Sequence, residues 1–154
     1  FTEWRELIKA KGEKQMAGYQ PMVDYAEKTG LPLDFISLAW DVFRRRFIDD
    51  EPTGISQHYF SHDRFPTFID MYRARGSITH TLIDSGIPDY TRRRTAISAR
   101  LPTADEAEQL RIPRHVPLLV HSYLNIDGLG RPLEYGISRS TTEVLIDFPE
   151  PERS

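Results

Sequence analysis

Residues Ala39 to Phe60 read A-W-D-V-F-R-R-R-F-I-D-D-E-P-T-G-I-S-Q-H-Y-F, and this stretch decides the fold. From Ala39 to Ile48 the chain has the composition of a strand, its apolar positions after Ala39 all aromatic or β-branched. Asp49-Asp50-Glu51-Pro52 is turn chemistry, since Asp bonds local backbone readily and Pro cannot extend a ladder. Thr53 to Phe60 then returns as the antiparallel partner. A hairpin in mid-chain sets the expectation of an antiparallel sheet.

Working outward toward the C-terminus, Pro66 to Ser85 is helical in character, interrupted by Gly76, with Ser77 placed to cap its second half. Tyr90 to Leu101 suits a strand crossing a sheet, and Pro102 breaks it. Thr103-Ala104-Asp105-Glu106 is a capping box, and its helix ends before Pro113. Leu118 to Asp127 and Leu133 to Phe148 read as strands around the Gly-rich hairpin loop Asp127 to Pro132. The residues from Pro149 to Ser154 read as a loose tail. Toward the N-terminus, Thr2 to Lys11 reads as a short helix capped by Thr2, because Trp4, Leu7 and Ile8 fall at helical spacing, and Gly12 would end it. Glu13 to Tyr25 is ambiguous, and Tyr25 to Thr29 looks like a helical turn stopped by Gly30. The sum is an α+β layer fold: an antiparallel sheet of five or six strands with helices on one side.

The totals narrow the function classes. The chain has 154 residues, enough for one domain with a real core. Its 39% hydrophobic and 11% aromatic content argues against disorder. Twenty Lys and Arg against 23 Asp and Glu leave a formal charge of −3, unlike a domain whose main task is gripping nucleic acid. There is no Cys, so neither a disulfide frame nor a thiolate zinc site is available. No apolar run approaches the ~18 residues of a membrane span, and no signal-peptide pattern opens the chain. The chain begins at Phe1 rather than Met and is expected to be part of a longer protein.

Several residues could carry chemistry. Arg44 and Arg46 lie two apart in a strand, so both guanidinium groups project from one face. Held side by side they repel unless an anion or carboxylate lies between, and the forked donors of Arg suit carboxylate or phosphate. An edge strand with its charges in water fits the same pattern. Arg45, on the other face with Phe43 and Phe47, could pair with an acid. Glu134 starts the last long strand and shares its parity with Ser138 and Ser140, so a carboxylate and two hydroxyls can line one face; a solvated Glu is the alternative. Ser77 can cap a helix, or its first turn can hold an anion. In Arg92-Arg93-Arg94 a regular strand would put Arg92 and Arg94 on one face, in a salt-bridged or dimer-facing strand. His58 and His62 have metal-compatible spacing only on a helix, and their segment reads as strand, so no metal or cofactor is expected. No nucleophile elbow or phosphate loop is present.

These residues bear a family resemblance. Arg44 to Pro52 followed by Tyr59-Phe60 resembles the R-x-R-x-x-D-x-x-P…Y hairpin of UTRA domains, the effector-binding domains of HutC-type regulators in the GntR family. Ser98-Ala99-Arg100-Leu101-Pro102-Thr103 with Glu106, Ala107 and Leu110 is similar to that family's strand-then-helix signature. Pro117-Leu118-Leu119, Asp127, Gly130 to Tyr135 and Ser138 are similar to its closing hairpin.

The resemblance implies a chorismate-lyase-like sheet and a ligand-sensing domain rather than an enzyme. It implies a cytoplasmic homodimer whose winged helix-turn-helix, absent from this chain, binds operator DNA. In relatives that sense sugar phosphates, the contacts carry over to Arg44, Arg46, Ser77 and Glu134, with Thr2 in the place of a Ser or Thr near an opening helix. Three positions depart from the pattern: a Glu common in relatives is Ser56, a Tyr is Thr79, and a second Tyr is Ser140. These smaller polar groups suit a compact anionic effector. Gly76 to Thr79 and Asp89 to Arg93 look most like the phosphonate-metabolism branch. An enzyme like chorismate lyase, with an Arg–Glu pocket around an anionic substrate, is the alternative on the same fold. A purely structural dimerisation domain is a third reading, and it predicts no stabilisation by any small anion.

Overall fold

The turn at Asp49 and Asp50 closes the central hairpin of the computed structural model, which describes residues 2–12, 38–61 and 64–146, and of 2–12 and 38–41 the backbone alone. Both turn residues sit at positive φ, 49° and 63°. That is the left-handed pair needed by a two-residue hairpin loop, and Asp tolerates it better than most side chains. The turn joins β2 (Leu38–Ile48) to β3 (Glu51–Ser61), so the expected hairpin is present with a shorter loop.

Two helices follow, α1 (Phe68–Arg75) and α2 (Ile78–Asp84). Gly76 separates them at φ 67°, a left-handed cap whose N–H donates to the Tyr72 carbonyl. Ser77 starts α2 by accepting from the His80 amide at 3.3 Å. Next come β4 (Tyr90–Arg100) and α3 (Ala104–Leu110), with both halves of the Thr103–Glu106 capping box formed. The chain closes with β5 (Leu118–Asp127) and β6 (Pro132–Ser140). Asp127 shapes their loop by accepting from the Leu129 and Arg131 amides, both at 2.9 Å, and by pairing with Arg64 and Arg131.

With β1 (Thr2–Gly12), the strands form one antiparallel sheet in the order β1-β2-β3-β6-β5-β4. The α+β expectation holds, at six strands among the described residues. Phe60 and Val42 point to one face, where Phe68, Ile69 and Tyr72 of α1 and Leu82 of α2 cover them. Ile55, Leu118 and Val120 point to the other, under Leu110 of α3. Helices therefore lie on both faces, not one, with Leu110 of α3 packed on the face opposite to α1 and α2.

Other expectations are corrected. Thr2 to Lys11 is strand, not helix, since all of β1 pairs with β2, from Thr2 opposite Ile48 to Gly12 opposite Leu38. A ladder of that length overrides a weak local helical pattern. β2 is consequently an internal strand, which removes the solvated-edge reading of its arginines. The last strand stops at Ser140 rather than Phe148, because the Thr142 amide turns back to donate to Ser140 Oγ at 3.1 Å. A bulge between Arg92 and Arg94 gives them successive partners, Asn125 and Leu124, so they point to opposite faces. The readings made for residues 13–37 and 149–154, and for His62, lie outside the described residues.

Candidate functional site

Cross-strand register, together with parity, assembles the site. Arg44 pairs with Ser56, Ser56 with Ser138, and Ser138 with His121, a row crossing β2, β3, β6 and β5 on the face that α1 and α2 cover elsewhere. One step along, Arg46 pairs with Gly54 and Gly54 with Ser140. In the opposite direction Val42, His58, Gly136 and Tyr123 form the next row, and Phe60, Glu134 and Asn125 the one after. Arg44, Arg46, Ser56, Glu134, Ser138 and Ser140 thus share one face.

Two bulges border this strip. The register slips between Arg46 and Phe47, leaving Thr53 as an extra residue on β3. Thr53 Oγ1 then accepts from Arg46 Nε at 3.1 Å, and its carbonyl accepts from Ser140 Oγ at 3.3 Å. A second slip, between Asn125 and Ile126, makes Leu133 the extra residue and sends it into the core beneath α1, while Glu134 stays on the site face.

Arg46 is half-buried and donates from Nη2 to Ser140 Oγ at 3.1 Å and Thr142 Oγ1 at 2.9 Å. Its partners are neutral hydroxyls, and among the described residues no carboxylate balances its charge. Ser56 is 2% exposed and its Oγ is buried without a hydrogen-bond partner. Arg45 projects the other way, its guanidinium 5.4 Å from the centre of the Phe47 ring, and among the described residues it meets no acid.

Glu134 is 3% exposed, which excludes the solvated reading. Its Oε1 accepts from Asn125 Nδ2 at 2.8 Å, and its Oε2 lies 2.8 Å from His58 Nδ1 and 3.4 Å from the Tyr123 hydroxyl. Tyr123 reaches that far because Gly136 stands between it and β3: a Cβ there would lie 2.1 Å from Tyr123 Cζ. Burial, and then the nearby Glu134, push the Tyr123 hydroxyl well above its ordinary value, so it remains a proton donor. Arg92 covers the ring at 3.8 Å and donates to Asn125 Oδ1 at 3.2 Å. Burial, with Arg92 second, lowers the basicity of His121, whose Nδ1 is also without a partner.

Ser77 and Thr79 stand apart from this network. Ser77 caps α2, and Thr79 Oγ1 lies 3.2 Å from the Tyr90 hydroxyl. Thr2 occupies a register position opposite Ile48 at the end of β1. Reading the sequence missed His58, Tyr123, Asn125 and Arg92. Parity within β5 would have grouped His121, Tyr123 and Asn125, but only register places them beside Glu134. Among the described residues no cluster of His, Asp or Glu could hold a metal ion, and no helix is long and apolar enough to cross a membrane.

A sheet with helices on both faces and a polar strip running across β2, β3, β6 and β5 defines an α+β layer domain. A family model described as the UTRA domain matches residues 20–144, and the chain belongs to that family. A solved structure of PhnF from Mycobacterium smegmatis superimposes with a TM-score of 0.69 at 16% identity, over 90% of this chain and 58% of that one. The C-terminal domain of the histidine utilization repressor from Pseudomonas syringae pv. tomato gives a TM-score of 0.70 at 14% identity, over 97% of this chain and all of that one. At such identities the likeness establishes the fold. An uncharacterized HTH-type transcriptional regulator of Rhizobium meliloti is 31% identical over 91 residues, 59% of this chain but only 37% of that protein. The chain thus matches little more than a third of that relative's length.

Proposed function

We propose that this chain is the ligand-sensing domain of a bacterial transcription regulator, a cytoplasmic homodimer and not an enzyme, that answers to a small anion. Operator DNA would be held by a winged helix-turn-helix lying outside these residues, as the helix-turn-helix description of the Rhizobium meliloti relative suggests. The observation that carries the anion reading is Arg46, a half-buried cation whose side-chain bonds among the described residues go to hydroxyls. Arg44 on the same face adds a second guanidinium, and the unsatisfied Ser56 hydroxyl adds a donor beside it. Phosphate and phosphonate groups match forked Arg donors, and the small residues Ser56, Ser138 and Ser140 suit a compact ligand. Ser77 and Thr79 are assigned to the same effector from α2, and Thr2 from β1. A regulator of this kind works only if the anion favours one arrangement of the dimer over another.

Thermal unfolding of the chain against phosphate, phosphonates, sugar phosphates and carboxylates tests the reading. An anion at about a hundred times its dissociation constant stabilises by roughly 2.7 kcal/mol. A selective shift that both Arg44→Ala and Arg46→Ala abolish is the expected result. No shift with any anion overturns it, and turnover of chorismate by the purified chain would replace it with the enzyme reading.

A further inference from the structure

Glu134 has the position of a ligand contact, yet its carboxylate is already served by Asn125, His58 and Tyr123. The unsatisfied group in this cluster is the second ring nitrogen of His58. His58 is 7% exposed, and its Nε2 is buried with no hydrogen-bond partner among the described residues. Ser56 Oγ, two residues back on the same face of β3, is in the same state. A buried polar atom left unpaired costs about 1–3 kcal/mol. Two of them on one strand face, next to Arg44 in register, mark a surface that a bound molecule would complete.

The network also fixes what His58 offers. With Glu134 as a carboxylate, which only accepts hydrogen bonds, the 2.8 Å approach of its Oε2 to Nδ1 places a proton on Nδ1. Tyr123, 2.9 Å from Nδ1, cannot then donate to that atom and turns its O–H to Glu134. In the neutral ring the Nδ1–H tautomer leaves Nε2 as a bare lone pair, an acceptor.

We propose that His58 is an effector contact, its Nε2 accepting from a hydroxyl or amino group of the anion, and that Glu134 is a positioning residue that sets the His58 tautomer. The effector class is accordingly an anion carrying a hydrogen-bond donor: its charged end at Arg44 and Arg46, its hydroxyl or amine at His58. This rests on the anion reading above and narrows it.

Three matched probes test it: ethylphosphonate, 2-hydroxyethylphosphonate and 2-aminoethylphosphonate, followed by thermal unfolding of the whole chain. Wild type should bind one or both donor-bearing probes on the order of tenfold more tightly than ethylphosphonate. His58→Gln should abolish the difference between the donor-bearing probes and ethylphosphonate. Glu134→Gln frees the ring to move its proton to Nε2, so the preference should vanish or reverse, which a merely structural role would not produce. Because either variant could unfold, nitrogen-15 NMR of the histidine rings in the wild type provides an independent readout. His58 should show the Nδ1–H tautomer, with Nε2 responding to 2-hydroxyethylphosphonate but not to ethylphosphonate. Equal binding of all three probes, or a proton on Nε2 in the unliganded chain, overturns the His58 proposal alone and leaves the anion. No binding of any probe overturns the anion reading and this one with it.

Discussion

At the scale of single residues, Gly136 leaves the space that the Tyr123 ring of the site occupies. It sits between Tyr123 and His58 in the row that crosses β5, β6 and β3, and the Tyr123 ring lies over it. A methyl group there must displace a ring held by Arg92 on its face and by Glu134 at its hydroxyl. Gly136→Ala should destabilise the chain by about 1–3 kcal/mol, the usual cost of overpacking. In a Tyr123→Leu background the same change should cost much less, which a double-mutant cycle by urea unfolding would measure. Equal costs in both backgrounds would mean that the ring is not what fills the space. This residue also marks where the sequence stops being legible. Alternation within a strand is enough to place Arg44 with Arg46, and Glu134 with Ser138 and Ser140. It says nothing of which strand lies beside which, so a Tyr on β5 meeting a His on β3 across a Gly on β6 could not be read from spacing.

At the scale of elements, α3 was legible because its start signal is local. Thr103 and Glu106 bond each other's backbone within four residues, whatever the rest of the chain does. The same carboxylate then ties the helix to the sheet: Arg100 grips it with two bonds, at 2.6 and 2.9 Å, and Arg139 of β6 lies 3.4 Å away. The Arg100 hydrogen bonds outweigh burial, and hold the Glu106 carboxyl at about 2 against an ordinary 4.5. A carboxyl lowered on folding gives stability that is fully present above the unfolded value and lost as pH falls through the folded one. The stability gap between wild type and Glu106→Gln should therefore be widest at neutral pH and close between pH 4.5 and about 2. A gap independent of pH would show that the Arg100 pairing contributes nothing through charge. Thr103→Ala, which removes only the cap, should cost about 1 kcal/mol at every pH. β1 is the contrasting case. Trp4, Leu7 and Ile8 satisfy a helical spacing, and what makes them strand is pairing with β2, from which residues 13–37 separate them in sequence.

For the molecule as a whole, the unusual feature is the outer edge of β4. Among the described residues the sheet ends there, with an 11-residue strand exposed along nearly its whole length, including Ile97 at 55%. An open edge of neutral β-forming residues such as Thr95 to Ala99 is a template for adding another strand. Two features of the sequence oppose that. The bulge at Arg93 interrupts the ladder, and Arg93 and Arg94 place exposed positive charge beside it. Two copies brought together along this end of β4 would set like charges against each other. Arg93→Thr with Arg94→Thr should therefore increase self-association in sedimentation velocity over a concentration series, with the thermal midpoint at low concentration little changed. Raising salt should move wild type in the same direction by screening the repulsion, since the Debye length falls to about 3 Å at 1 M, and should affect the double variant less. Identical sedimentation of the two proteins at low salt would mean that the bulge alone guards the edge. A salt response equal in both would place the responsible charges elsewhere on the molecule.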